Sequence, residues 1–215
     1  VLKGAGGSVL QGGTGNDLFE LASNETWGLG YRAVNTGDIH TTGIGTGESI
    51  SIWGKTKFTD VLSGGGTGGS SSFDTDILAL TDQDDVFFLH DTFSSISGNV
   101  PTVKDFMGRD VAQRVLDIEE VLGGAGNDVI DMSSPDLALQ NFIGLMIDGG
   151  VGNDVIWSSV SNDVIKGGDG NDKIFGGKGN DVMSGGDGRD LFQFTQTAGS
   201  DIIKDFDAKD KIELW

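Results

Sequence analysis

The chain has 215 residues, of which 37 are Gly, 2 are Pro and none is Cys, and its 33 acidic side chains against 14 basic ones give a formal net charge of −19. A hydrophobic share of 36% argues against whole-chain disorder, the Gly residues lack the every-third spacing of collagen, and no apolar run of about 18 residues is present to span a membrane. The charge repels nucleic acid and anionic lipid, the missing Cys removes disulfides and thiolate chemistry, and 27 Asp against 6 Glu favour turns and hard-cation sites over helices.

The chain opens at Val1 without a signal-like apolar stretch and stops at Ile212-Glu213-Leu214-Trp215 in what reads as a strand, as expected of a monomeric segment of something longer. The first recognisable element is the nonapeptide GGTGNDLFE, Gly12 to Glu20. Six residues rich in Gly and Asp predict a turn and the apolar-x-apolar remainder a short strand, so residues 1–20 read as the first part of a coil.

Residues 21–122 break this pattern and are expected to form an inserted, β-rich, sandwich-like ligand-binding lobe. Ser49 to Trp53, Ile77 to Leu80 and Asp85 to Leu89 alternate between turn residues and read as strands. Asp110 to Leu116 fits a helix, although Arg114 to Leu122 also fits a strand. Asp74, Asp76, Asp82, Asp84, Asp85 and Asp91 crowd one span and are expected at strand ends, where mutual repulsion favours a divalent ion. Just before them the loop SGGGTGGSSS offers the backbone N–H groups of Gly64, Gly65 and Gly66 as a nest for a ligand carboxylate, or is a plain connector. Asp84, Asp85 and Arg109 complete this candidate ligand set; Arg32, Lys55, Lys57, Lys104 and Arg114 are further basic residues able to read an acidic ligand. His40 and His90 stand far apart, and with neither HExxH nor GxSxG the chain is not read as an enzyme and has no catalytic residue to name.

The nonapeptide returns as GGAGNDVID at Gly123 to Asp131, GGVGNDVIW at Gly149 to Trp157, the degenerate SSVSNDVIK at Ser158 to Lys166, and then GGDGNDKIF, GGKGNDVMS and GGDGRDLFQ from Gly167 to Gln193. Successive turns fall on alternate edges of a coil, and the Asp at position six points between stacked turns beside carbonyl oxygens of the Gly residues. Such an all-oxygen cage suits several calcium ions better than zinc. The candidate metal set is Gly12, Gly13, Gly15 and Asp17; Gly123, Gly124, Gly126 and Asp128; Gly149, Gly150, Gly152 and Asp154; Asp163; Gly167, Gly168, Gly170 and Asp172; Gly176, Gly177, Gly179 and Asp181; Gly185, Gly186, Gly188 and Asp190; and the acidic run from Asp74 to Asp91. Residues 123–193 form the main roll, and 194–215 follow it with alternating Ile202, Phe206, Ile212 and Leu214. Asp201, Asp205, Asp207 and Asp210 in that tail are expected to be solvated.

The nonapeptides resemble the calcium-binding repeats of the RTX family. The resemblance implies an all-β, right-handed parallel β-roll with calcium between turns, an extracellular location reached by type I secretion, and a capping role for the tail. The run DTDILALTDQDD with FFLHDTF and RVLDIEEVLGGAGNDVID is similar to the peptide-binding domain of long RTX adhesins. That likeness implies a calcium-dependent adhesion module which holds the C-terminal residues of proteins on host or neighbouring cells by calcium-assisted carboxylate capture. A module serving secretion and folding alone, or a calcium-dependent lobe that binds glycans, are the alternatives.

Overall fold

The computed structural model describes residues 1–3, 9–13, 15–20, 61–65, 75–88, 102–104, 110–112, 115–116, 118–132, 144–196 and 198–214. These form strands and turns, with no helix among the described residues. One parallel sheet of eight strands runs in the order Leu2–Lys3, Leu18–Glu20, Ile77–Ala79, Glu120–Ala125, Met146–Val151, Val164–Gly170, Val182–Gly188 and Ile202–Ile203. A second parallel sheet of six strands runs from Val86–Phe88 through Val129–Asp131, Val155–Trp157, Lys173–Phe175 and Leu191–Phe194 to Lys211–Leu214. The chain alternates between the two sheets, which makes a parallel β-roll.

The core follows from the nonapeptide. Its eighth residue points inward in both sheets: Phe19, Leu78, Val121, Ile147, Ile165 and Met183 from the first sheet meet Phe87, Ile130, Ile156, Ile174 and Phe192 from the second in one buried cluster. The strands pair without slippage, Ile156 beside Ile174 and Ile174 beside Phe192. Each fully buried side chain of this kind contributes roughly 1.5–3 kcal/mol, enough to fix a period in which a single-residue slip would expose the row. At the C-terminal end this protection thins, with Ile212 and Leu214 exposed and Phe206 resting at 6.2 Å, centroid to centroid, from the ring of Phe192.

The division at 21–122 differs from the sequence expectation. Ile77–Ala79 lies between Leu18–Glu20 and Glu120–Ala125 in the first sheet, and Val86–Phe88 pairs with Val129–Asp131 in the second. Residues 75–88 and 118–122 are therefore coils of the roll, held by the same inward apolar positions. Outside these two sheets, the described strands Thr102–Lys104 and Asp110–Ala112 form an antiparallel pair. A three-stranded parallel sheet joins Val9–Gly13, Val61–Gly65 and Val115–Leu116. The helix reading of Asp110 to Leu116 gives way to two strands, and the strand reading of Arg114 to Leu122 is broken into Val115–Leu116 and Glu120–Ala125. The expected strand at Ser49 to Trp53 lies outside the described residues.

Candidate metal centre

Two ladders of position-six carboxylates run along the edges of the roll. On the edge leading into the second sheet, the N–H of each residue donates to the carboxylate Oδ1 of the next coil: Asp85 to Asp128 (2.8 Å), Asp128 to Asp154 (2.7 Å), Asp154 to Asp172 (2.8 Å), Asp172 to Asp190 (2.9 Å) and Asp190 to Asp210 (3.0 Å). The opposite edge repeats the pattern from Asp17 to Asp76, Asp76 to the carboxylate of Glu119, Leu145 to Asp163, Asp163 to Asp181 and Asp181 to Asp201. Position-five residues add an outer ladder, in which the N–H of Asn171 donates to Asn153 Oδ1 and that of Asn153 to Asn127 Oδ1.

At six of these positions a carboxylate oxygen is left over. Oδ2 of Asp17, Asp128, Asp154, Asp172, Asp181 and Asp190 is buried with no hydrogen-bond partner. Buried polar atoms are rarely left so, and a charged one demands a counter-charge. The space beside it has the right lining. A methyl group placed on Gly149 would lie 2.5 Å from both Asp154 Oδ2 and the carbonyl oxygen of Gly167; on Gly167 it would lie 2.3 Å from Asp172 Oδ2 and 2.6 Å from the Gly185 carbonyl. Among the described residues no three carboxyl or imidazole groups converge. Each cage instead combines a carboxylate with stacked glycine carbonyls, all hard oxygen donors, and these residues fit calcium.

Burial pushes the carboxyl of Asp128 up to about 8, of Asp172 and Asp181 up to about 7 and of Asp154 up to about 6, with neighbouring carboxylates adding to the rise. Burial likewise raises Asp190, reinforced by Asp210 and Asp205. A group whose folded pKa lies above its unfolded value near 3.9 binds its proton more tightly in the fold. Its stabilisation is full below about pH 4 and is lost as pH rises through the folded value. In chelator, lowering pH from 8 to 5 is accordingly expected to recover β-type circular dichroism. A β signal that falls on acidification would contradict these buried carboxyls.

The expected metal residues divide. The repeat carboxylates from Asp128 to Asp190 stand in two rows, and Asp163 differs from the others in that its Oδ2 accepts hydrogen bonds from Ser158 and Ser159. Of the acidic run, the described residues lie in the coils of the roll. Asp76 and Asp85 are buried rungs of the two ladders, Asp82 and Asp84 are exposed in the turn between them, and Asp74 and Asp91 lie outside the described residues. Gly64 and Gly65 end the strand Val61–Gly65, with Gly65 opposite Gly13. Gly66 and Arg109 lie outside the described residues.

Sequence reading gave the tail a capping role with solvated carboxylates and missed the part those carboxylates play. Asp205 accepts hydrogen bonds from the N–H groups of Gly185 (3.0 Å) and Gly186 (2.9 Å) and from the Ser184 hydroxyl, closing the last sheet edge. Partial burial pushes its carboxyl up, but these donors outweigh that and hold it below the usual range. Asp201 and Asp210 accept the final ladder bonds, and Asp210 also accepts from the N–H of Asp207 (2.8 Å).

Comparison with known proteins agrees with this geometry. The family model for the RTX calcium-binding nonapeptide repeat matches in four copies, at residues 4–21, 117–131, 146–161 and 157–192. No curated protein matches the chain. The match at 117–131 begins upstream of Gly123 and includes Glu119, which occupies the carboxylate position of its ladder. The matched segments, with their stacked ladders and orphaned carboxylate oxygens, are similar to calcium-binding repeats of the RTX kind.

Proposed function

We propose that the chain is a calcium-dependent adhesion module of a large secreted surface protein, exported by type I secretion and folded on meeting extracellular calcium. The observation that carries the calcium dependence is the row of buried, unpartnered Oδ2 atoms at Asp128, Asp154, Asp172 and Asp190. Such a roll is a rigid base only when cations neutralise it, and self-repulsion from −19 opposes folding where calcium is scarce. The roll alone would serve secretion and folding. The finer function rests on the likeness to peptide-binding domains of RTX adhesins: the ligand pocket belongs to residues 21–60 and 89–114, and a calcium ion assists capture of the terminal carboxylate of a protein on another cell.

A screen of short peptides with free or amidated C-termini, beside a glycan array and with or without calcium, tests this. Peptides with free carboxyl ends are expected to bind in calcium, and amidation is expected to cost at least about tenfold in affinity, as the loss of a charge-assisted contact should. Equal binding of both forms would overturn carboxylate capture. Binding confined to glycans would select a lectin-like lobe, and no binding to either would leave the folding module.

A further inference from the structure

Two consecutive turns of the roll differ by three Gly-to-Ser exchanges: residues 149–154 read GGVGND and residues 158–163 read SSVSND. In the first, Asp154 Oδ2 is buried and unpartnered. In the second, Asp163 is equally buried, yet its Oδ2 accepts hydrogen bonds from Ser158 Oγ (2.6 Å), Ser159 Oγ (2.8 Å) and the Ser159 N–H (3.0 Å), while Oδ1 accepts from the Leu145 N–H (2.8 Å). The Ser159 hydroxyl oxygen in turn accepts from the Ser161 N–H (3.1 Å). Four donors meet this carboxylate, so its desolvation is compensated without a cation. Three of those donors crowd the oxygen that a cation would need.

The same device recurs at residues 80–85, LTDQDD. Asp85 Oδ2 accepts from the Thr81 N–H (2.6 Å) and Thr81 Oγ1 (2.7 Å), and Thr81 Oγ1 accepts from the Gln83 N–H (3.2 Å). In both turns the hydroxyl residue stands at position two of the nonapeptide, where the open cages carry Gly.

We infer that Ser158–Asp163 and Leu80–Asp85 are hydroxyl-clamped turns that exclude calcium, so that cations form a continuous file on one edge only, Asp17 and Asp181 being separated open turns on the other. The continuous edge has four open turns in succession, ending at Asp128, Asp154, Asp172 and Asp190, with the Thr81 clamp closing its N-terminal end. The opposite edge is interrupted at Leu145, which has no carboxylate, and again at the clamped Asp163. The inference rests on the calcium reading of the open turns.

Calcium bound per chain, counted by equilibrium dialysis with folding verified by circular dichroism at saturating calcium, tests it. The triple variant S158G/S159G/S161G, which makes the turn identical to residues 149–154, is expected to bind one ion more than the wild type. Asp163→Asn is expected to leave the count unchanged, and Asp172→Asn to lower it by at least one. No added ion in the triple variant, or a loss in Asp163→Asn matching that in Asp172→Asn, would overturn the clamp while leaving the calcium roll intact. A wild type that binds no calcium would overturn both, a result distinct from either variant outcome.

Discussion

Chelation of calcium at pH 7.5 is expected to remove most of the β-type circular dichroism of this chain, and restored calcium to return it. Six carboxylate oxygens, on Asp17, Asp128, Asp154, Asp172, Asp181 and Asp190, are buried without a partner. Leaving a buried charge uncompensated costs about 3–5 kcal/mol, and a domain has only about 5–15 kcal/mol of net stability. Two or three vacant cages are enough to exhaust that margin, and the costs fall along the same stacked edges, so they act on neighbouring coils together. Any ligand bound by the folded state alone then sets the folding midpoint through its concentration. A spectrum unchanged in chelator would sink the calcium-dependent roll.

Substitution of Gly170 by Ala is expected to cost more than about 4 kcal/mol, against about 1–2 kcal/mol for Gly15→Ala, measured as loss of stability in saturating calcium. Both glycines have positive φ, 145° and 97°, so an L side chain is strained at either. They differ in what lies alongside. A Cβ on Gly170 would sit 1.5 Å from the Gly152 carbonyl oxygen, whereas one on Gly15 would meet nothing within 4 Å. Backbone cannot move aside without opening the coil above, so strain and collision add at Gly170 while strain acts alone at Gly15. Equal losses in the two variants would show that coil contact is not what requires glycine at position four.

The roll was readable in the sequence wherever Gly and Asp both kept their places, because a turn that needs both residue types leaves little room for substitution. It was not readable at residues 71–88, where Leu80, Thr81 and Gln83 stand at the glycine positions. A signal was nevertheless present: Asp76 and Asp85 are nine residues apart, each with an apolar residue two positions later, Leu78 and Phe87. Reading their charge as a cluster hid their period. The different surroundings of Asp163 were missed for the opposite reason. Its spacing was right, but the flanking Ser158 and Ser159 supply the donors that the cages lack. At Leu145 the carboxylate is replaced outright while the backbone keeps its ladder bond to Asp163, so the coil persists where its chemistry has lapsed. The capping use of Asp205 depends on contacts with Ser184, Gly185 and Gly186 across the end of the sheet, which local composition does not encode.

The alternation of consecutive nonapeptides between the two sheets gives the roll a parity. Loss of eighteen residues, such as 158–175, would shorten the stack by one coil, roughly 4.8 Å, and leave every later residue on its own side. Loss of nine would also keep the inward apolar row, since position eight faces the core in both sheets, but it would transpose all downstream turns. Asp172 and Asp190 would then change edges with Asp181, and a continuous file of carboxylates would be cut in two. Length in this architecture is therefore free to drift only in even steps if its bound charges are to stay in line.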